Sequence, residues 1–93
     1  MVMSGNDPKG RRPIVVVQGV RFGLVQVITR TSDVSVRGVA HPADDSLGLN
    51  KPGVFSMRHL RSIEERHFGG NTAEYLGTLG DPYLRQVIEM WES

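Results

Sequence analysis

No cysteine occurs among the 93 residues. That excludes disulfides, thiolate-bound zinc, iron–sulfur clusters and cysteine nucleophiles, and it fits a reducing compartment. Aromatic residues are scarce, with three Phe, two Tyr and one Trp, so stacking on nucleobases has few platforms. No apolar run approaches the roughly 18 residues needed to span a bilayer. The opening MVMSGNDPKGRR also lacks the apolar stretch of a secretion signal. Together these absences predict a cytoplasmic protein without membrane contact. Strong charge is missing too: the net charge is +1 and the isoelectric point about 8.2, short of the basicity of a dedicated nucleic-acid domain.

A chain of this length forms one domain and buries only about 60 to 65% of its unfolded surface on folding. The core is therefore thin, and with disulfides excluded, association with a partner is the expected supplement. Charge is unevenly spread: residues 1 to 51 hold seven Lys or Arg against four Asp, a net +3, and residues 52 to 93 hold four Arg against six acids, a net −2. Gly5, Asn6, Asp7, Pro8 and Gly10 give residues 1 to 12 little reason to order. This segment reads as a flexible tail ending in the basic cluster Lys9, Arg11 and Arg12.

From residue 13 the chain reads as a single α+β domain. It divides into a β-rich part (13 to 40), a long loop (41 to 55) and a helical part (56 to 92). Ile14, Val15, Val16 and Val17 are β-branched and suit a buried strand. Between Val20 and Thr29, Phe22, Leu24, Gln26 and Ile28 share one face and Val25 and Val27 the other, so both faces need cover. Arg30 to Asp33 carries turn residues, and Val34 to Ala40 completes a hairpin. The loop concentrates Pro, Gly, Asp and Asn, and connections of that length are more often functional than idle.

Three helices are expected after the loop. Ser56 caps a helix to about Phe68, with Met57, Leu60, Ile63 and His67 at spacings of three and four and Gly69-Gly70 as its stop. Asn71 and Glu74 form a capping box for a short second helix. Gly80 ends that helix, Asp81 caps the third and Pro82 occupies its first position, with Leu84, Val87, Ile88 and Trp91 as the buried stripe. The predicted fold is an antiparallel sheet of about three strands packed against about three C-terminal helices.

Chemistry-bearing patterns are few. Glu64-x-x-His67 has the spacing of a carboxylate-bridged di-iron motif, but one copy lacks the second motif and the further carboxylates such a site needs; a surface ion pair accounts for it. His41 precedes Asp44 and Asp45, residue types that bind metals or act as general base, but no oriented nucleophile accompanies them. His59 has no histidine or acid at ligand spacing. No glycine-rich phosphate cradle follows a strand. No catalytic residue, metal site or cofactor is therefore expected.

Two binding modes remain. Ala73-x-x-x-Gly77 suggests a helix-turn-helix crossing, but Glu89 and Glu92 would repel phosphate from the would-be reading helix, and small residues at helix crossings are ordinary. The better nucleic-acid reading sets Lys9, Arg11, Arg12, Arg21 and Arg37 along a phosphate backbone, against which stands the bland alternative of a solvated sheet face. The favoured reading is a non-enzymatic regulatory or inhibitory protein. It would act through protein–protein contact, as a homodimer or on a larger protein, with Val87, Met90 and Trp91 of the last helix and Asp44, Asp45 and Leu47 of the loop as the contact residues. The competing reading of equal weight is that Trp91 closes the chain's own core.

Overall fold

In the computed structural model the backbone of residues 2 to 7, 10 to 68 and 73 to 93 is described, and the side chains of 12 to 66 and 76 to 93. Among the described residues six strands run in chain order: β1 (Val2–Asp7), β2 (Gly10–Arg21), β3 (Leu24–Thr31), β4 (Val39–His41), β5 (Gly53–Glu64) and β6 (Ala73–Gly77). One α-helix follows, α1 (Tyr83–Glu92). They form an antiparallel sheet in the order β4-β5-β3-β2-β1-β6, curled like half a barrel around the single helix.

The expected sheet of three strands under three helices is therefore wrong. Residues 56 to 64, read as a helix, lie in β5, and only a short 3-10 turn, Glu65–Phe68, follows. The apolar spacing of Met57, Leu60 and Ile63 fits a helix locally, but β3 decides the outcome. Val27 and Ile28 are fully buried, so the peptide groups of β3 cannot turn to water and both of its edges must be paired. Strand β2 pairs one edge and β5 the other, through Val25↔Ile63, Val27↔Arg61 and Ile28↔Leu60. Ser56 caps no helix; it is buried, and its hydroxyl accepts the Arg58 amide N–H at 3.2 Å where β5 departs from the register of β3. The sequence signal was a genuine side-chain-to-backbone bond placed in the wrong element.

The second expected helix is also a strand: Ala73 to Gly77 forms β6 beside β1, with Glu74 opposite Ser4. Asn71, its proposed cap, lies outside the described residues. The third expectation survives with a shifted start. Helix α1 begins at Tyr83, and Asp81 makes no cap, because the carbonyls of Gly80 and Pro82 accept the Leu84 and Gln86 amides instead. Part of the segment read as a tail is written into β1 and the start of β2, while Lys9 falls outside the described residues.

The hairpin also moves. The sequence sets its turn at residues 30 to 33, whereas the chain reverses at Phe22-Gly23, between the pair Arg21 and Leu24. Both turn residues have positive φ, 54° and 75°, the requirement of a two-residue turn whose twist matches its strands. Gly23 adopts that conformation freely; Phe22 does not.

Both faces of β3 are covered, as its composition requires. Val15, Val17, Ile28, Phe55, Leu79 and Val87 form the larger core under α1, with Leu47 and Leu49 of the loop, and Ile14, Val25 and Val27 form a second cluster on the opposite face. Each of these large side chains stabilises the fold by about 1.5–3 kcal/mol relative to exposure.

Candidate functional site

Two places stand out from the solvated remainder: a polar cluster under the loop and the tip of the β2–β3 hairpin. The cluster begins with Arg30, near the end of β3 and 6% exposed. A buried guanidinium needs acceptors for its fork of donors, and the loop supplies them. Arg30 Nε donates to His41 Nδ1 at 3.1 Å, and Nη2 donates to the carbonyls of Lys51 at 2.7 Å, His41 at 3.3 Å and Pro42 at 3.5 Å. Gly53 lies against this guanidinium so closely that an added Cβ would sit 2.7 Å from it.

Because Arg30 can only donate, His41 Nδ1 must accept, and the ring is neutral with its proton on Nε2. That nitrogen faces Asp44 Oδ2 at 3.3 Å. The ring is buried against Phe55 (5.7 Å between centroids) and edge-on to Tyr83 (5.0 Å). Burial first, and then the Arg30 charge, lower the His41 pKa, against a smaller opposite pull from Asp44. Burial likewise lowers the Arg30 pKa, with Asp44 pulling the other way. Asp44 in turn accepts the Ser46 amide and hydroxyl at 3.1 and 2.5 Å, which starts the 3-10 turn Asp45–Leu47; the Ser46 hydroxyl bond leads the causes that hold the Asp44 carboxyl below its ordinary pKa.

The cluster therefore runs Ser46–Asp44–His41–Arg30. In a nucleophilic triad the imidazole touches the hydroxyl; here the carboxylate stands between them and both ring nitrogens are engaged. What the arrangement does is fasten the loop to the sheet. A cleft of about 440 Å³ opens beside it, lined by Val34, Pro42, Pro52, Val54 and Tyr83 with His41 at its wall. It is apolar, and among the described residues no group of three or more His, Cys, Asp or Glu could hold a metal ion.

At the hairpin tip, Phe22 is 94% exposed, flanked by the exposed Val20 and Leu24, with the Arg21 guanidinium 5.9 Å from its ring centroid. A smaller hollow of about 160 Å³ lies beneath, lined by Gln18, Arg21, Phe22, Leu24, Gln26 and Ser62. Comparisons with protein-family models, curated proteins and solved structures match nothing to this chain.

The residues proposed from sequence are dispersed by the fold. Val87 is fully buried in the core, and Met90 and Trp91 are half-buried against it. The Trp91 indole N–H donates to Gln26 Oε1 at 2.9 Å, closing α1 onto the sheet. Leu47 is buried, Asp45 is exposed and Asp44 is the half-buried hinge of the cluster. Of the basic set, Lys9 and the Arg11 side chain lie outside the described residues; Arg12 is half-buried, and Arg21 and Arg37 are exposed. Sequence reasoning missed the structural part of Arg30, whose only signal was its place at the end of an apolar strand. It also missed the display of Phe22, since the alternation that placed Phe22 on the face of Leu24 and Ile28 gave no hint of a turn.

Proposed function

We propose that this chain is a binding protein without chemistry of its own, acting through protein–protein contact at the β2–β3 hairpin tip. The observation that carries this reading is Phe22, an aromatic side chain held almost wholly in solvent at a positive φ. Such a conformation is disfavoured for a bulky residue, and Asn or Gly would turn the hairpin without strain. A large apolar side chain kept there is explained by something that receives it, as aromatic anchors fill partner pockets at interface centres. Val20, Leu24 and Arg21 surround it as an apolar rim with one charge, the composition of an interface core bordered by arginine.

The test places benzoylphenylalanine at position 22, and at the exposed Glu89 as control, in extracts of the source cell. A discrete adduct is expected from position 22 and not from 89, identified by mass spectrometry. Unlabelled wild type should compete it away, and the Phe22→Ser variant should not. An adduct of twice the chain's own mass would identify the partner as a second copy. Absence of an adduct, or equal labelling from both positions, would refute the reading.

A second reading, nucleic-acid binding by the basic residues of the β half, is favoured by one observation: Arg21 and Phe22 present a guanidinium beside an aromatic face, the pair of groups on which single-stranded bases stack. It predicts binding to a mixed DNA and RNA pool that falls steeply with salt and weakens when the exposed Arg21 and Arg37 are replaced by Gln. Salt-insensitive behaviour would eliminate it.

A further inference from the structure

Among the described residues the sheet is open along the outer edges of β4 and β6 and along part of β5. Strand β4 covers β5 only at Gly53, Val54 and Phe55. Beyond Phe55, β5 pairs with β3 on one side and has no strand neighbour on the other among the described residues. The stretch Leu60 to Glu64 holds regular register with β3, from Ile28 back to Leu24, so its outward N–H and C=O groups form a regular row without a strand partner among the described residues. Such an edge is a template for another strand.

The side chains along this edge specify the occupant. Over residues 53 to 66 the edge carries Arg58, Arg61 and Arg66 against Glu64 and Glu65, all exposed, with Arg66 engaging Glu64 at 2.7 Å, which leaves an excess of one positive charge beside the exposed Arg21 of the hairpin tip. A second copy pairing antiparallel about Arg61 would set the two Arg61 guanidinium groups opposite each other, though it would also bring Arg58 opposite Glu64. An acidic strand avoids the Arg61 repulsion and gains from the positive excess. The hollow under Phe22 begins at this same edge, since Ser62 lines it and pairs with Gln26. Its polar groups include donors, beside Gln18 and the Ser62 hydroxyl, which can also accept. With Oε1 of Gln26 taken by Trp91, the Gln26 amide offers its NH2, beside the Ser62 hydroxyl and the Arg21 guanidinium. Such a hollow suits a carboxylate.

We propose that the outer edge of β5, from Leu60 to Glu64, receives an extended acidic segment of a partner protein as an added strand, with one of its carboxylates in the hollow beneath Phe22. Rows of backbone bonds supply affinity, and Arg58, Arg61 and Arg21 select acidic sequence. This deepens the reading of the chain as a protein-interaction module and rests on it.

The probe is a capped seven-residue peptide alternating Glu with Val, titrated into the full chain while backbone amide exchange is followed residue by residue by NMR. Protection of amides in 60 to 64 is expected. The Lys-for-Glu peptide, and the Glu peptide N-methylated at alternate amides, should each bind about tenfold more weakly or worse, because one loses the charge match and the other the ladder bonds. The double variant R58E/R61E, both sites exposed, should keep its fold by circular dichroism and lose binding of the Glu peptide by at least about tenfold.

Equal binding of the N-methylated peptide, protection elsewhere than β5, or no binding of the Glu peptide at millimolar concentration would each overturn the proposal. Displacement of the peptide by an equal charge of single-stranded oligonucleotide, with no change at the β5 amides, would overturn it as well. The outcome is separable from that at the hairpin tip. Specific labelling from position 22 with no protection of β5 leaves the interaction reading standing without strand addition, and the reverse result removes Phe22 as the anchor while the edge remains the site.

Discussion

Replacing Arg30 by Met keeps an apolar stem of similar length and removes the guanidinium. It deletes the Nε bond to His41 Nδ1 and the Nη2 bonds to the carbonyls of Lys51, His41 and Pro42. The acceptors left behind are buried at His41, and the bonds lost at Pro42 and Lys51 are part-buried. Each orphaned buried acceptor costs about 1–3 kcal/mol. The strongest two, at His41 Nδ1 and the Lys51 carbonyl, bring the loss to about 2–6 kcal/mol. Removing a buried, desolvated charge offsets part of that, so a net destabilisation of about 2–4 kcal/mol is expected. Stability for a domain of this size is about 5–14 kcal/mol, so the variant should be marginal. With a urea m-value of about 1 kcal/mol/M, the unfolding midpoint should fall by about 2–4 M. Arg30→Lys should recover little, because an ammonium cannot reach three carbonyls and a ring nitrogen in one plane. The exposed Arg37→Met serves as control and should stay within about 0.5 kcal/mol of wild type. A midpoint shift for Arg30→Met no larger than that of Arg37→Met would refute the view that the Arg30 cluster anchors the loop.

Three further outcomes concern His41, Trp91 and Phe22. Burial and Arg30 hold the His41 pKa below its unfolded value, so the unfolded chain binds the extra proton first; stability should be fully present above the ordinary histidine pKa of about 6.5 and decline as pH falls through and below it. Urea midpoints at neutral and mildly acidic pH should show this decline, and His41→Gln, which can still accept from Arg30, should flatten it. Trp91→Phe removes the indole bond to Gln26 and should cost about 1 kcal/mol in thermal unfolding, whereas a purely partner-facing Trp91 would leave the isolated chain unchanged. Phe22→Asn, which suits the first position of the hairpin turn, should raise stability by about 0.5–1 kcal/mol while abolishing the position-22 contact; a loss of stability would show that Phe22 is not strained.

The apolar run Ile14 to Val17 and the two apolar faces of β3 were legible in the sequence because buried strands advertise themselves by β-branched residues without polar interruption. Helix α1 was legible by its stripe of Leu84, Val87, Ile88 and Trp91 after the break at Gly80. The stretch from Ser56 to Glu64 misled for a physical reason: Leu60 and Ile63 are half-buried on opposite faces of a strand, yet their spacing of three equally matches one face of a helix. Of the site, the polarity of Asp44 and Asp45 was visible, but the buried acceptor sets for Arg30 join residues from β3, β4 and the loop, and pairing across that separation leaves no local mark. The tip at Phe22-Gly23 was hidden because the turn carries one glycine and no Asn or Asp.

The sequence by itself determined that the chain would fold around β-branched strands and carry an amphipathic helix near residues 83 to 92, without thiol chemistry, because composition and local periodicity act over a few neighbouring residues. Tertiary structure decided whether residues 53 to 64 and 73 to 77 became strands, where the hairpin turned and which loop Arg30 would fasten. Those choices depend on which backbone groups are left unpaired once the core of β3 is buried, and no segment carries that information alone.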